Sequence, residues 1–157
     1  MSLETKVSDL LSESLSNKAF FNKDSKVGDT VTGTILDSEV RQSRDFDDNK
    51  LEFWDDNSPR LQMVINLQTD ILDGGPDGED DGVRSVYVKW WGAQRKALLT
   101  AAKDAGVNDL APGDKFVASY IGDGEQTDRK KSPPKLYAYG IEKAGPIAQA
   151  AAKSKAA

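Results

Sequence analysis

Tyr87, Lys89 and Trp91 fall at every second position of the stretch VRSVYVKWWGAQRKALLTAAKDAG, residues 83–106. In a strand these three side chains share one face while Val86, Val88 and Trp90 share the other, because strand side chains alternate. Flat rings interleaved with a cation can stack on planar groups and neutralise anions at the same time. Further residues of the same chemistry occur elsewhere. Trp54 lies in a loop bordered by Arg41, Arg44 and Arg60. Arg129, Lys130, Lys131 and Lys135 crowd a second loop, and Arg95 and Lys96 stand in the first turn of the helix that follows Gly92. Cations there oppose the helix dipole, and Gly92 offers no side-chain cap. That helix end reads either as a phosphate seat or as a glycine start with solvated cations.

The chemistry that is missing narrows the field. The chain has no histidine and no cysteine, which removes the commonest general base, the commonest metal ligand, thiolate chemistry and disulfides. It contains no GxxxxGK[ST] loop and no GxSxG elbow, and its carboxylates show no spacing that pairs an acid with a base. The acidic turn TDILDGGPDGEDDG, residues 69–82, fails as a calcium loop in both registers tried: a start at Asp73 puts Arg84 at the twelfth position, and a start at Asp77 puts Val88 there. It reads as a solvated turn. The expectation is a non-catalytic protein without metal or cofactor.

Length and charge agree with a binding role. At 157 residues the chain suits one domain. Its net charge of −5 conceals an asymmetry: residues 1–82 carry 8 bases and 19 acids, and residues 83–157 carry 13 bases and 7 acids. An acidic protein can still bind nucleic acid when its cations gather on one surface. No apolar run is long enough to span a bilayer and the first residues lack a signal-peptide pattern, so a cytoplasmic protein without membrane contact is expected.

The elements that must position these residues can be read in order. Residues 1–25 form an N-terminal extension with Leu3, Val7, Leu10, Leu11 and Leu15 on one helical stripe. After the Gly28-Asp29 turn, TVTGTILDSEVRQ is a first strand whose alternation slips by one near Ile35, which predicts a bulge or a sharp bend. The loop 43–59 holds Phe53, expected to pack beneath it, and Trp54, equally suited to packing or to a ligand. Leu61, Met63, Ile65 and Leu67 alternate with Gln62, Val64, Asn66 and Gln68 as a second strand whose outer face is amide-rich and uncharged. Arg84 to Trp90 is the third strand, followed by an alanine-rich helix ending at Gly106. Lys115 to Ile121 and Lys135 to Ile141 are the fourth and fifth strands, and residues 144–157 are a mobile tail.

The order β-β-β-α-β-β predicts a mainly β, five-stranded OB-fold Greek-key barrel over residues 26–143, with one helix between strands three and four and flexible termini. Such barrels bind single strands or sugars on strands two and three and on the loops after strands one and four. The aromatic loop, the cationic loop and the Tyr87 face all fall at those places.

The sequence also resembles small OB-fold, single-stranded-DNA-binding-like proteins of actinobacterial phages and their hosts. The matching residues run through Val27-Gly28-Asp29, Phe53-Trp54, Asn57, Pro59-Arg60, Gln62, Leu67-Gln68-Thr69, Tyr87-Val88, Arg95-Lys96-Ala97-Leu98 and Pro133-Pro134-Lys135-Leu136-Tyr137, about the central three-quarters of the chain. The resemblance implies a role in phage DNA replication or recombination, in the host cytoplasm, with replication or recombination proteins as partners. One departure bears on this. The acidic, aromatic-tipped C-terminus by which familiar bacterial single-strand binders recruit partners is replaced by Lys153-Ser154-Lys155-Ala156-Ala157.

The leading expectation is sequence-independent binding of single-stranded DNA, with Tyr87, Trp91 and Trp54 stacking and with Lys89, Arg60, Arg41, Arg44, Arg95, Lys96, Arg129, Lys130, Lys131 and Lys135 as the cationic set. The alternative is a protein-interaction module, a phage factor that uses its acidic first half to dock on a basic host or replication protein. An oligosaccharide-binding barrel is a third reading. Oligomeric state and the choice between DNA and RNA stay open.

Overall fold

The computed structural model describes residues 18–22, 24–45, 48–73, 78–125 and 134–144. Among the described residues six strands and one helix succeed one another as β1 (Lys18–Ala19), β2 (Thr30–Gln42), β3 (Leu61–Gln68), β4 (Val83–Lys89), α1 (Gly92–Ala105), β5 (Lys115–Asp123) and β6 (Lys135–Glu142). They make one mixed sheet in the order β1-β4-β3-β2-β5-β6, antiparallel throughout except for β1 on β4. The protein is thus mainly β, and its five long strands and its helix are those the alternation predicts. The five-stranded closed barrel needs correction. The sheet has six strands and is open: β1 pairs along the edge of β4 at Arg84 and Ser85, and β6 pairs with β5. Among the described residues no helix is long and apolar enough to cross a membrane.

The predicted bulge is present. Ile35 pairs with Leu67 and Asp37 with Asn66, so Leu36 has no partner on β3. The bend lets β2 serve two neighbours, β5 through residues 30–34 and β3 through residues 34–42. Gly33 permits the crossing, because a Cβ there would lie 2.7 Å from the Gln68 carbonyl oxygen and 2.9 Å from the Leu67 Cβ.

The core sits on the β2–β5 face that carries Val31, Ile35, Ile65, Leu67, Val86, Val88, Phe116 and Ala118, closed by Leu98 of α1. Trp90 packs against this cluster, as its place in the strand predicts. α1 buries Leu98 and Ala101, the small-residue side that suits close approach to a sheet. It ends in a Schellman arrangement: Gly106 takes a left-handed conformation, its N–H bonds to the Lys103 carbonyl, and the Val107 N–H bonds to the Ala102 carbonyl.

The gap between β4 and β6 is bridged by side chains and by the residues after β1. The Gln94 amide accepts from the Lys89 N–H at 2.9 Å and reaches the Lys135 carbonyl at 3.5 Å. The Phe20 N–H donates to the Ser85 carbonyl, the Phe21 ring lies 4.9 Å from that of Tyr137, and Lys135 Nζ donates to the Asn22 carbonyl. Burial among these rings pushes the Tyr137 hydroxyl up to about 12.

The acidic turn is solvated at Asp70, Asp73, Glu79 and Asp81, as expected, but Asp80 is drawn in. Arg84, buried, binds both oxygens of Asp80 at 2.9 and 2.5 Å and reaches Asp73 at 3.1 Å. Asp80 also accepts the N–H groups of Asp73 and Gly82, while Thr69 Oγ1 donates to the Gly82 carbonyl. The Arg84 hydrogen bonds, then those N–H groups, hold the Asp80 carboxyl well below the usual carboxylate range. A group depressed in the folded state stabilises fully above its unfolded pKa, about 3.9, and loses that contribution as pH falls toward its folded value. Asp80→Asn is therefore expected to flatten the acid limb of the stability curve below about pH 4, read by circular dichroism in urea. An unchanged acid limb would show that this carboxylate is not what the turn depends on.

Candidate nucleic-acid interface

Register places the outer side chains of β2, β3 and β4 in rows. Asp37, Asn66 and Ser85 make one row, Glu39, Val64 and Tyr87 the next, and Arg41, Gln62 and Lys89 the third. Beyond the last row stand Arg60, one residue before β3, and Trp91, two residues after Lys89 in extended conformation. Trp91 thus continues the face of Tyr87 and Lys89 although β4 ends at Lys89. The first row is linked by hydrogen bonds: Ser85 Oγ donates to Asn66 Oδ1 and Asn66 Nδ2 to Asp37 Oδ1, each at 2.5 Å. This orders the face electrostatically, from carboxylates at Asp37 and Glu39 to cations at Arg41, Lys89 and Arg60.

Residues 43–45 and 48–60 form an arm beyond the ends of β2 and β3. Its backbone is tied by a ring of three bonds: Ser43 N–H to Arg60 carbonyl, Arg60 N–H to Glu52 carbonyl and Glu52 N–H to Ser43 carbonyl. Single bridges add Arg44 to Leu51 and Phe53 to Pro59. Ser43 Oγ donates to Glu52 Oε1 at 2.6 Å, which turns Glu52 inward and, by alternation, aims Trp54 to the same side.

The arm delivers Trp54 to the end of the sheet face. Its ring meets that of Trp91 edge-on, with centroids 5.6 Å apart and planes at 80°. The Arg60 guanidinium lies 4.3 Å from the Trp54 centroid and 5.5 Å from that of Trp91, and Lys89 Nζ lies 5.7 Å from Trp91. Arg60 Nε is buried without a hydrogen-bond partner. None of the described ion pairs involves Arg60 or Lys89. A guanidinium held by ring faces rather than by a carboxylate keeps its charge available to an incoming anion.

Of the residues expected at the site, Trp54, Arg60, Lys89 and Trp91 are brought together, with Tyr87 and Arg41 on the same face. Arg41 is paired with Glu39, so part of its charge is compensated. Arg44 turns into the arm, donating to the Asn49 carbonyl at 2.9 Å. Arg95 lies over Trp90 at 5.3 Å, and Lys96 stands exposed on α1. Lys135 is engaged at the β4–β6 gap and lies 5.2 Å from the Tyr120 ring. None of these four joins the cluster. Arg129, Lys130 and Lys131 lie outside the described residues, as do the leucine stripe and the tail beyond Ala144. Phe53, expected to pack, is 51% exposed, because it alternates with Glu52 and Trp54 and points away from the cluster. Gln62, between Arg41 and Lys89, was not anticipated as part of the face, although its alternation with Leu61 and Met63 carries that signal. Among the described residues no group of three or more acidic side chains is arranged to hold a metal ion.

No protein-family model, curated protein or solved structure matches this chain.

Proposed function

We propose that this protein binds single-stranded DNA without catalysis and largely without regard to sequence, at the sheet end formed by Trp54, Arg60, Lys89 and Trp91. The observation that carries this reading is the Arg60 guanidinium held against two tryptophan rings with no carboxylate partner among the described residues. It offers stacking surface and uncompensated positive charge within one contact distance, which is what a single strand requires. Tyr87 extends the stacking surface along β4, and Arg41 and Gln62 border it. The carboxylates of Asp37 and Glu39 repel a phosphate backbone, so the strand lies across the cationic end rather than along the whole face.

The reading includes an OB-type architecture. The five long strands follow the pairing of such a barrel except at the β4–β6 gap, where Gln94 and Phe21 stand between the strands. It also includes the kinship with phage single-strand binders that the sequence suggests, and with it a place in DNA replication or recombination.

Titration of the full chain with oligo-dT, followed by tryptophan fluorescence at two salt concentrations, tests the function. Binding quenches the emission of Trp54 and Trp91, and the affinity falls as salt rises, with a slope set by the few phosphates contacted. Emission that stays constant, with no salt-sensitive binding, would remove the proposal.

A further inference from the structure

The side of the arm that faces away from Trp54 is apolar and uncovered. Alternation from β2 and β3 puts Val40, Leu61 and Pro59 on the core side of the sheet, past the point where the core ends. The bridges set Phe53 opposite Pro59 and Leu51 opposite Arg44, on that same side. Val40 is 61% exposed, Leu61 38%, Leu51 43% and Phe53 51%. Val40 and Leu61 are diagonal neighbours across the β2–β3 pair, and Phe53 continues the line through Pro59. Four large apolar side chains exposed on one side of the sheet end and arm offer a docking surface rather than scattered exposed residues.

The charge around the stripe selects its occupant. Residues 43–60 hold six acids and three bases; Arg60 among the bases and Glu52 among the acids are turned to the opposite face, which leaves five acids against two bases. Asp48, Asp55 and Asp56 are exposed at the rim. Hydrogen bonds from Ser58 lower the pKa of the Asp56 carboxyl, so that charge persists through mild acid. A second copy of the chain would bring two acidic arms together, and the leucine stripe near the N-terminus, with Glu4, Asp9 and Glu13 against Lys6, is itself acidic. Both pairings set like charges against each other.

We infer that the Leu51/Phe53 face of the arm docks a basic amphipathic segment of another protein, apolar side inward and lysines or arginines toward the acidic rim. This site does not depend on the single-strand reading. The two faces of the arm are separate, so both ligands can be held at once.

The test uses the full chain and two synthetic amphipathic helical peptides of about 18 residues, long enough to fold on contact, one built from leucine and lysine and one from leucine and glutamate. Fluorescence anisotropy is expected to show the lysine peptide binding and the glutamate peptide not binding. In Leu51→Ser/Phe53→Ser, which keeps every charge, the lysine peptide binds about tenfold or more weakly, with oligo-dT titration and thermal unfolding unchanged. In Asp55→Asn/Asp56→Asn, which keeps the stripe, binding weakens and becomes less salt-sensitive. Three results would overturn the inference: no binding of the lysine peptide, equal binding by the Leu51→Ser/Phe53→Ser chain, or sedimentation showing a dimer of the parent chain that this variant dissolves. Leu51 and Phe53 are exposed in the folded chain, as are Asp55 and Asp56, so both variants fold, and an unfolding midpoint equal to the parent's verifies it for each.

Discussion

Oligo-dT binds the Trp54→Ala/Trp91→Ala chain roughly a hundredfold more weakly than the parent, on the scale of 1–3 kcal/mol for each ring that stacks on a base. Each single substitution gives roughly a thirtyfold loss, and the double variant falls short of the roughly thousandfold that independent losses would give, because the rings touch and share Arg60 as a neighbour. Arg60→Gln acts differently. It removes one phosphate contact, so the slope of log affinity against log salt falls by about one while the quenching on saturation remains. Phe53→Ala supplies the internal control. That residue neighbours Trp54 in sequence but faces the other way, and its loss leaves oligo-dT affinity as it was. If the double variant bound as tightly as the parent, the site would have to be moved elsewhere on the molecule.

Phe116→Ala has the second large effect, and it bears on the scaffold. Phe116 is fully buried, pairs across β5 with Gly33 and Ile141, and packs its ring 5.7 Å from that of Tyr139. Truncating a buried phenylalanine costs about 3–5 kcal/mol, the lost transfer energy plus the cavity left behind. The denaturation midpoint in urea should fall with the slope unchanged, and the melting temperature should drop by roughly 10–20 °C for a domain of this size. A loss below about 1 kcal/mol would mean that the surrounding side chains collapse into the space, against the close packing expected of this core.

The long elements were legible because their signals are local. The alternation of Leu61 to Gln68 defines β3, and the one-residue slip near Ile35 announces the bulge that Leu36 occupies. Gly92 and Gly106 bracket α1. What escaped the sequence is set by distant partners. β1 has two residues, too few for any period, and exists because Lys18 and Ala19 meet Arg84 and Ser85 far along the chain. The closed barrel failed at the same place, since alternation identifies strands without saying which edges meet. Composition likewise presents residues 69–82 as a solvated acidic turn, because nothing local shows that Arg84 reaches back to Asp80 and Asp73. At the site, alternation gave the side on which Tyr87, Lys89 and Trp91 lie. It could not show that the arm folds back to set Trp54 and Arg60 beside Trp91, nor that Arg44, Arg95 and Lys135 are held by other groups.

An open sheet has two borders, and each is a template on which another chain could add a strand and begin to aggregate. Among the described residues β1 offers two residues at one border, Lys18 and Ala19, and β6 at the other begins with Lys135 and lies against α1. Gln94 adds an amide that satisfies backbone groups of both Lys89 and Lys135 without extending the ladder. The features that leave the sheet unclosed therefore also blunt its borders.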